Sequence, residues 1–428
     1  MQLFNQSFNS FDNINKLLTL IFFGFLPISF IFGNSTINLN IILLNILFLT
    51  NCIYSNNWKW IKDDLSKTLF FLYFFLIFNS TFAYYVGHNI KVDGADGIIR
   101  SITFIKFILL IYSFKILIFN YQMLNKVIKI WLIIILIFIF DIFFEKLTGK
   151  NILGYISPDG TRIVSFFKDE MIVGGFVFCF GSAIVSFYLS KNNNNYKKFF
   201  FTFLFTIIPL AIFITGERSN FIKSLILFLL VIIFINNNKL YIKKKIIFSI
   251  LFISISLLFT FNKNLNIKYK EFFKRIYIVE KTETLNAQLQ NIKYYAHWDT
   301  AIKIFKNYPL LGVGNKNFRH ECQKSKYYDE NIYFTNHRCS THPHQIHFEI
   351  LSEQGLIGYI IIIFILGKFI VKNFCYYKDK KEIFYFSGIA YLMLFFTPLL
   401  PGAGIFSTLN GATFWIIFSL TNLRYNEK

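Results

Sequence analysis

Apolar runs long enough to cross about 30 Å of hydrocarbon as a helix recur along the whole chain, and that pattern leaves few folds open. Hydrocarbon offers no water to backbone N–H and C=O groups, so a spanning segment satisfies them internally, as a helix or in a closed barrel. Barrel strands alternate apolar and polar residues, and these runs do not. Twelve spans are expected, at roughly 17–33, 36–54, 68–86, 99–119, 128–147, 170–190, 199–215, 219–235, 246–261, 346–371, 382–400 and 411–423. The fold class that follows is an all-α polytopic membrane protein, one integral membrane domain over residues 1–428. No small-residue cleavage pattern follows the first run, so it reads as a retained span.

A formal charge of +21 suggests nucleic acid until the basic residues are placed. Lys59, Lys62 and Lys67 sit between two spans, as do Lys126 and Lys129, then Lys191, Lys197 and Lys198, then Lys239 and Lys243 to Lys245, then Lys372, Lys378, Lys380 and Lys381. These are every second loop. The positive-inside rule puts them, and both termini, in the cytoplasm, with membrane lipid rather than nucleic acid as the basic surface's partner. One long loop, 262–345, then falls outside and is expected to hold a small periplasmic unit. Within it, 269–277 and 294–305 carry apolar residues at helical spacing with Lys and Arg between them, as amphipathic helices at a membrane surface do. The 58 phenylalanines, with abundant Ile, Asn and Lys, mark a biased residue usage, so single aromatics carry little functional weight.

The chemistry-bearing residues gather around the end of that loop. His342, His344 and His347 are three of seven histidines and stand where a polar segment turns apolar after Pro343. Singly, each reads as an ordinary polar residue at a helix boundary; their clustering argues for proton transfer, which suits a side chain that titrates near neutrality. Upstream, Tyr308 to Phe318 reads YPLLGVGNKNF, where Pro309 ends a helix and Gly312 and Gly314 allow a tight turn. Arg218, in Thr215-Gly216-Glu217-Arg218-Ser219, lies in a loop so short that its guanidinium must sit at the membrane boundary, paired with Glu217 or clamping a phosphate. Arg162 and Lys168, then Arg275, Lys316 and Arg319, extend a basic outer surface. Cys322 and Cys339 are the two cysteines expected outside the membrane, paired as a disulfide, with a zinc site including the histidines as the alternative.

These residues resemble the bacterial O-antigen ligase and polymerase superfamily. His344-Gln345, then Gly355 and Gly358, follow its histidine-amide-spacer-glycine signature, and Pro309 to Phe318 and Thr215 to Ser219 resemble its earlier segments, over about residues 150 to 365. The resemblance implies a metal-independent, inverting glycosyltransferase without a cofactor, in the bacterial inner membrane with its site on the periplasmic side. Its donor would be an undecaprenyl-diphosphate-linked glycan, and its acceptor lipid A core, a growing glycan or a protein. His344 would be the general base and Arg218 the diphosphate clamp. Arg162, Arg275, Lys316, Arg319, Gln345 and Glu217 would contact substrate, and Glu353 is a further candidate for orienting it. Gly312, Gly314, Gly355, Gly358, Cys322 and Cys339 would be structural. A transporter would more often show paired broken helices or midplane charges, and a membrane-anchored assembly protein would need no catalytic pair.

The alternating lysine loops set the orientation to be measured. Alkaline phosphatase fused after Lys244 is expected to be inactive and fused near Lys316 active. The reverse pattern would move residues 262–345 to the cytoplasm.

Overall fold

A helix satisfies its backbone groups within its own segment, and all regular structure among the described residues is helical. The computed structural model describes residues 2–87, 96–118, 120–158, 160, 162–168, 170, 172–191, 195–235, 293–332, 334–398, 400–402 and 404–424. The frame runs α1 (Gln2–Gly24), α2 (Leu26–Ile31), α3 (Asn34–Tyr54), α4 (Asp64–Tyr85), α5 (Asp96–Thr103), α6 (Ile105–Leu117) and α7 (Tyr121–Thr148). It continues with α8 (Val173–Lys191), α9 (Asn195–Ile214), α10 (Arg218–Phe234), α11 (Lys293–Asn307), α12 (Ile346–Lys380), α13 (Ile383–Phe395) and α14 (Leu409–Thr421).

Among the described residues, seven stretches are long and apolar enough to cross a membrane: α3, α4, α5 with α6, α7, α8, α9 and α12; α13 and α14 are shorter apolar helices. The protein is therefore a multi-pass, all-α membrane protein. Nine of the twelve expected spans fall on these stretches; 17–33 falls on α1 and α2 and 219–235 on α10, while 246–261 lies outside the described residues, as do Lys243 to Lys245 and 269–277.

Side-chain pairs sort the loops into two ends. At one, Lys191 pairs with Glu382 at 2.8 Å, Lys115 with Asp63 at 2.7 Å, and Arg424 donates to Asn373 at 2.6 Å. These are the lysine-rich connections. At the other, the Ile163 amide donates to Thr215 at 3.3 Å, Ser219 Oγ donates to Pro401 O at 2.5 Å, and the Asn315 amide donates to Ser80 Oγ at 3.2 Å. The loops bearing the Arg218 and His344 motifs thus share the end opposite the lysines.

That end is organised by a break in α12. Gly355 has φ +67°, a left-handed value that interrupts the helix, and a break strands amides on one side and carbonyls on the other. The Pro309–Gly314 turn takes both. Leu356 N donates to Pro309 O at 2.8 Å and Ile357 N to Leu310 O at 3.2 Å, while Val313 N donates to Ser352 O at 3.0 Å and Gly314 N to Glu353 O at 2.8 Å. The approach is close enough that a Cβ on Gly355 would overlap the Leu310 carbonyl, and one on Gly312 would meet Glu353 main chain at 2.6 Å. Gly358, one turn on, lies against Phe75 of α4.

Around this turn the long loop folds on itself. Ala301 and Ile304 of α11 bury with Val313, Phe318, Cys322 and Tyr327, packed by Tyr308, Cys339 and Phe348. The apolar face expected to lie on a membrane surface is, for 294–305, committed to this small core instead. Cys322 and Cys339 are joined in a disulfide with Cα atoms 5.4 Å apart, which removes both as zinc ligands and corrects the zinc alternative.

Gly355→Ala is expected to destabilise the fold by at least about 2 kcal/mol, read as a lowered unfolding midpoint in detergent, from left-handed strain plus the clash. Gly367, in the same helix with nothing within 4 Å of a Cβ, is the comparison; Gly367→Ala should leave the midpoint unchanged or raise it.

Candidate functional site

The histidine turn ends where α12 begins. Gln345 is the N-cap: its Oε1 accepts from the Phe348 amide at 3.1 Å, and the residue is 2% exposed. An amide side chain here therefore serves as a helix cap. His344, just before it, has φ +56°. A non-glycine residue in that region is strained and persists only where its surroundings hold it. Here Gly402 N donates to His344 O at 2.8 Å.

The ring of His344 lies among aromatic neighbours, with centroids 4.3 Å from His342, 5.2 Å from His297 and 5.2 Å from Tyr294. Its Nε2 is 3.1 Å from Ser340 Oγ. Burial, then the charges of Lys316, Arg319 and His297, push the His342 pKa down to about 3, so that imidazole is neutral at pH 7. His297 Nδ1 lies 3.1 Å from Arg338 O; a carbonyl only accepts, so Nδ1 carries a proton. His347 is tied down differently. Its Nε2 donates to Phe396 O at 2.8 Å, and its Nδ1 accepts from Tyr359 OH at 3.0 Å.

The glycine turn supplies the next wall. Lys316, with φ +61°, is 3% exposed and pairs through Nζ with Glu349, itself 1% exposed. Its amide donates to Glu353 Oε2 at 2.8 Å, and Phe318 N reaches Glu353 Oε1 at 3.4 Å. Glu349 and Glu353 stand four residues apart on one face of α12, so a single loop engages both carboxylates. Lys316 is thus a buried ion-pair partner, a correction to its place on a basic outer surface, and Glu353 holds main chain. Arg319 is half-buried, and its Nε is sealed without a hydrogen-bond partner among the described residues.

Arg218 opens α10 and is half-buried. The Ser219 bond to Pro401, and the Gly402 bond to His344, connect its helix to the histidine turn through two adjacent residues. Glu217 is not paired with it as the short loop suggested. Its carboxylate accepts from Gly174 N at 2.5 Å, Gly175 N at 3.1 Å and Asn220 Nδ2 at 2.6 Å, bracing the start of α8. Burial lifts the Glu217 pKa against the pull of those donors and of Arg162, which faces it. Glu217 therefore acts as a strut within the protein. Lys168 lies over the Tyr155 ring at 5.2 Å. Arg275 is outside the described residues.

Three contributors escaped the sequence reasoning. Glu349 looked like one more polar residue in a helix start, and His297 lies apart from the histidine cluster. The strap 396–404 was absorbed into a span ending at 400, although its Pro398, Pro401, Gly402 and Gly404 are the punctuation that marks a loop.

Residues 200–363 match the family described as O-antigen ligase. The chain carries an O-antigen ligase superfamily domain. No curated protein matches it. The O-antigen ligase match runs from α9 to the middle of α12, so it takes in Arg218, the glycine turn, His344 and the break at Gly355.

The Lys316–Glu349 pair is the buried charge this domain's frame leans on. Glu349→Gln leaves a buried ammonium uncompensated and is expected to cost about 3–5 kcal/mol, whereas the double change Lys316→Met with Glu349→Leu should recover most of it. A double-mutant cycle of denaturant unfolding in detergent measures the coupling; additive costs would deny it.

Proposed function

We propose that this protein transfers a glycan from undecaprenyl diphosphate to an acceptor hydroxyl, lipid A core in the first instance, as an O-antigen ligase of the inner membrane working on the periplasmic side. The observation that supports it most directly is the strained His344, held by Gly402 at the end where the matched Arg218 and glycine motifs converge. His344 takes the proton of the acceptor hydroxyl as its oxygen attacks the anomeric carbon. The bond from that carbon to the phosphate oxygen breaks, its electron pair leaves on the diphosphate, and the configuration inverts. Arg218 receives the departing charge; guanidinium meets phosphate in a two-pronged geometry that ammonium lacks. No step in this scheme calls for a metal, since a cationic side chain does the neutralising.

His344→Ala is expected to lower transfer by 10²- to 10⁴-fold, as loss of a general base does, and Arg218→Lys to damage it severely. The check is a purified assay with a polyprenyl-diphosphate glycan donor and chelator present. Near-normal rates for His344→Ala, or activity lost with chelator and restored by a divalent ion, would overturn the scheme. In a deletion strain, unligated polymer is the expected product; single capped repeats would identify a polymerase.

A further inference from the structure

Lys223 is a cation that the mechanism above leaves unused. It lies in α10, is 5% exposed, and makes no ion pair with a carboxylate among the described residues. The Phe395 ring lies 5.7 Å from Nζ. A lysine buried in an apolar helix is expensive unless it is compensated, and a ring face compensates little. Such a residue marks a place where an anion arrives.

Its surroundings agree. Lys223 follows Ser219 by four residues and so shares its face of α10, the face that Ser219 fixes to Pro401. The next residue, Gly402, is the one whose amide holds His344. Among the described residues, a Cβ on Gly402 would find only Lys223 Nζ within 4 Å, at 3.4 Å. Gly402 thus brings the strap into close reach of the ammonium, directly behind the histidine turn. Lys223 is also five residues beyond Arg218, about 7.5 Å further along the helix axis and so deeper in the bilayer.

We propose that Lys223, on the α10 face that meets Gly402, binds a phosphate group of a lipid-linked diphosphate on the bilayer side of His344. This rests on the donor class proposed above and assigns it a second contact. A soluble pyrophosphate presents the same chemistry but carries no tail to bring it to this depth. Ser219 is not part of the site, because its hydroxyl is committed to Pro401.

The test measures binding of undecaprenyl diphosphate without glycan to the full chain in detergent, with inorganic pyrophosphate and undecaprenol as comparators. Lys223→Met is expected to weaken undecaprenyl diphosphate binding by ten-fold or more, Lys223→Arg to retain it within about three-fold, and undecaprenol binding to be unmoved. Gly402→Ala keeps the charge and the amide but sets a methyl against the ammonium, and should weaken the same ligand. Thermal midpoints report folding, and Lys223→Met is expected to match or exceed the parent since it removes an uncompensated charge. Unchanged binding in Lys223→Met and Gly402→Ala would overturn the Lys223 site while leaving the donor assignment intact. Failure of the parent protein to bind undecaprenyl diphosphate would overturn both. Pyrophosphate bound as tightly as the lipid, with the same loss in Lys223→Met, would overturn the assignment to a lipid-linked anion.

Discussion

The reciprocal main-chain hydrogen bonds between the α12 break and the Pro309–Gly314 turn are the interaction on which the rest of this end depends. Orphaned amides and carbonyls near hydrocarbon have no water to turn to, so a helix can break there only where protein supplies the partners. The turn supplies four bonds, and in return its own backbone is fixed. Lys316 is thereby delivered between Glu349 and Glu353, and Asn315 reaches Ser80 of α4. The half of α12 that follows is aligned with α4 through Gly358, and the half that precedes it begins at the histidine turn.

Charge at this end is divided by role. Glu217 and Glu353 receive backbone amides, and Glu349 receives Lys316; each carboxylate is a strut. Two histidines are likewise structural in part: His347 fixes Phe396 of the strap, and His297 reads the Arg338 carbonyl beside the disulfide. His344 is the one whose backbone is strained.

Much of the architecture was legible in the sequence because hydrocarbon imposes a period and a length, and lysines mark alternate loops. Pro309, Gly312 and Gly355 were legible as punctuation, but not as partners: nothing in a linear string says that one glycine motif seats in the break made by another 43 residues later. The contacts that the sequence does not reveal have a common physical origin. Gln345, Glu217 and Lys316 carry functional groups suited to substrate, and the fold uses them on its own backbone or buries them as ion pairs. Spacing reveals which residue types are near a site, whereas the satisfaction of nearby amides is decided by tertiary contact. The strap 396–404 was missed because an apolar run with two prolines still scores as a span.

Because the joint at Gly355 is made of main chain, it asks almost nothing of side-chain identity beyond the glycines that let two backbones touch. Substitutions elsewhere along α12 can drift toward whatever residues the genome favours, here isoleucine, phenylalanine and lysine, without shifting the turn by more than side-chain repacking allows. A frame of this kind would let overall likeness to relatives fade while the placement of a few catalytic groups stays constant, so that kinship survives in geometry after it has thinned in letters.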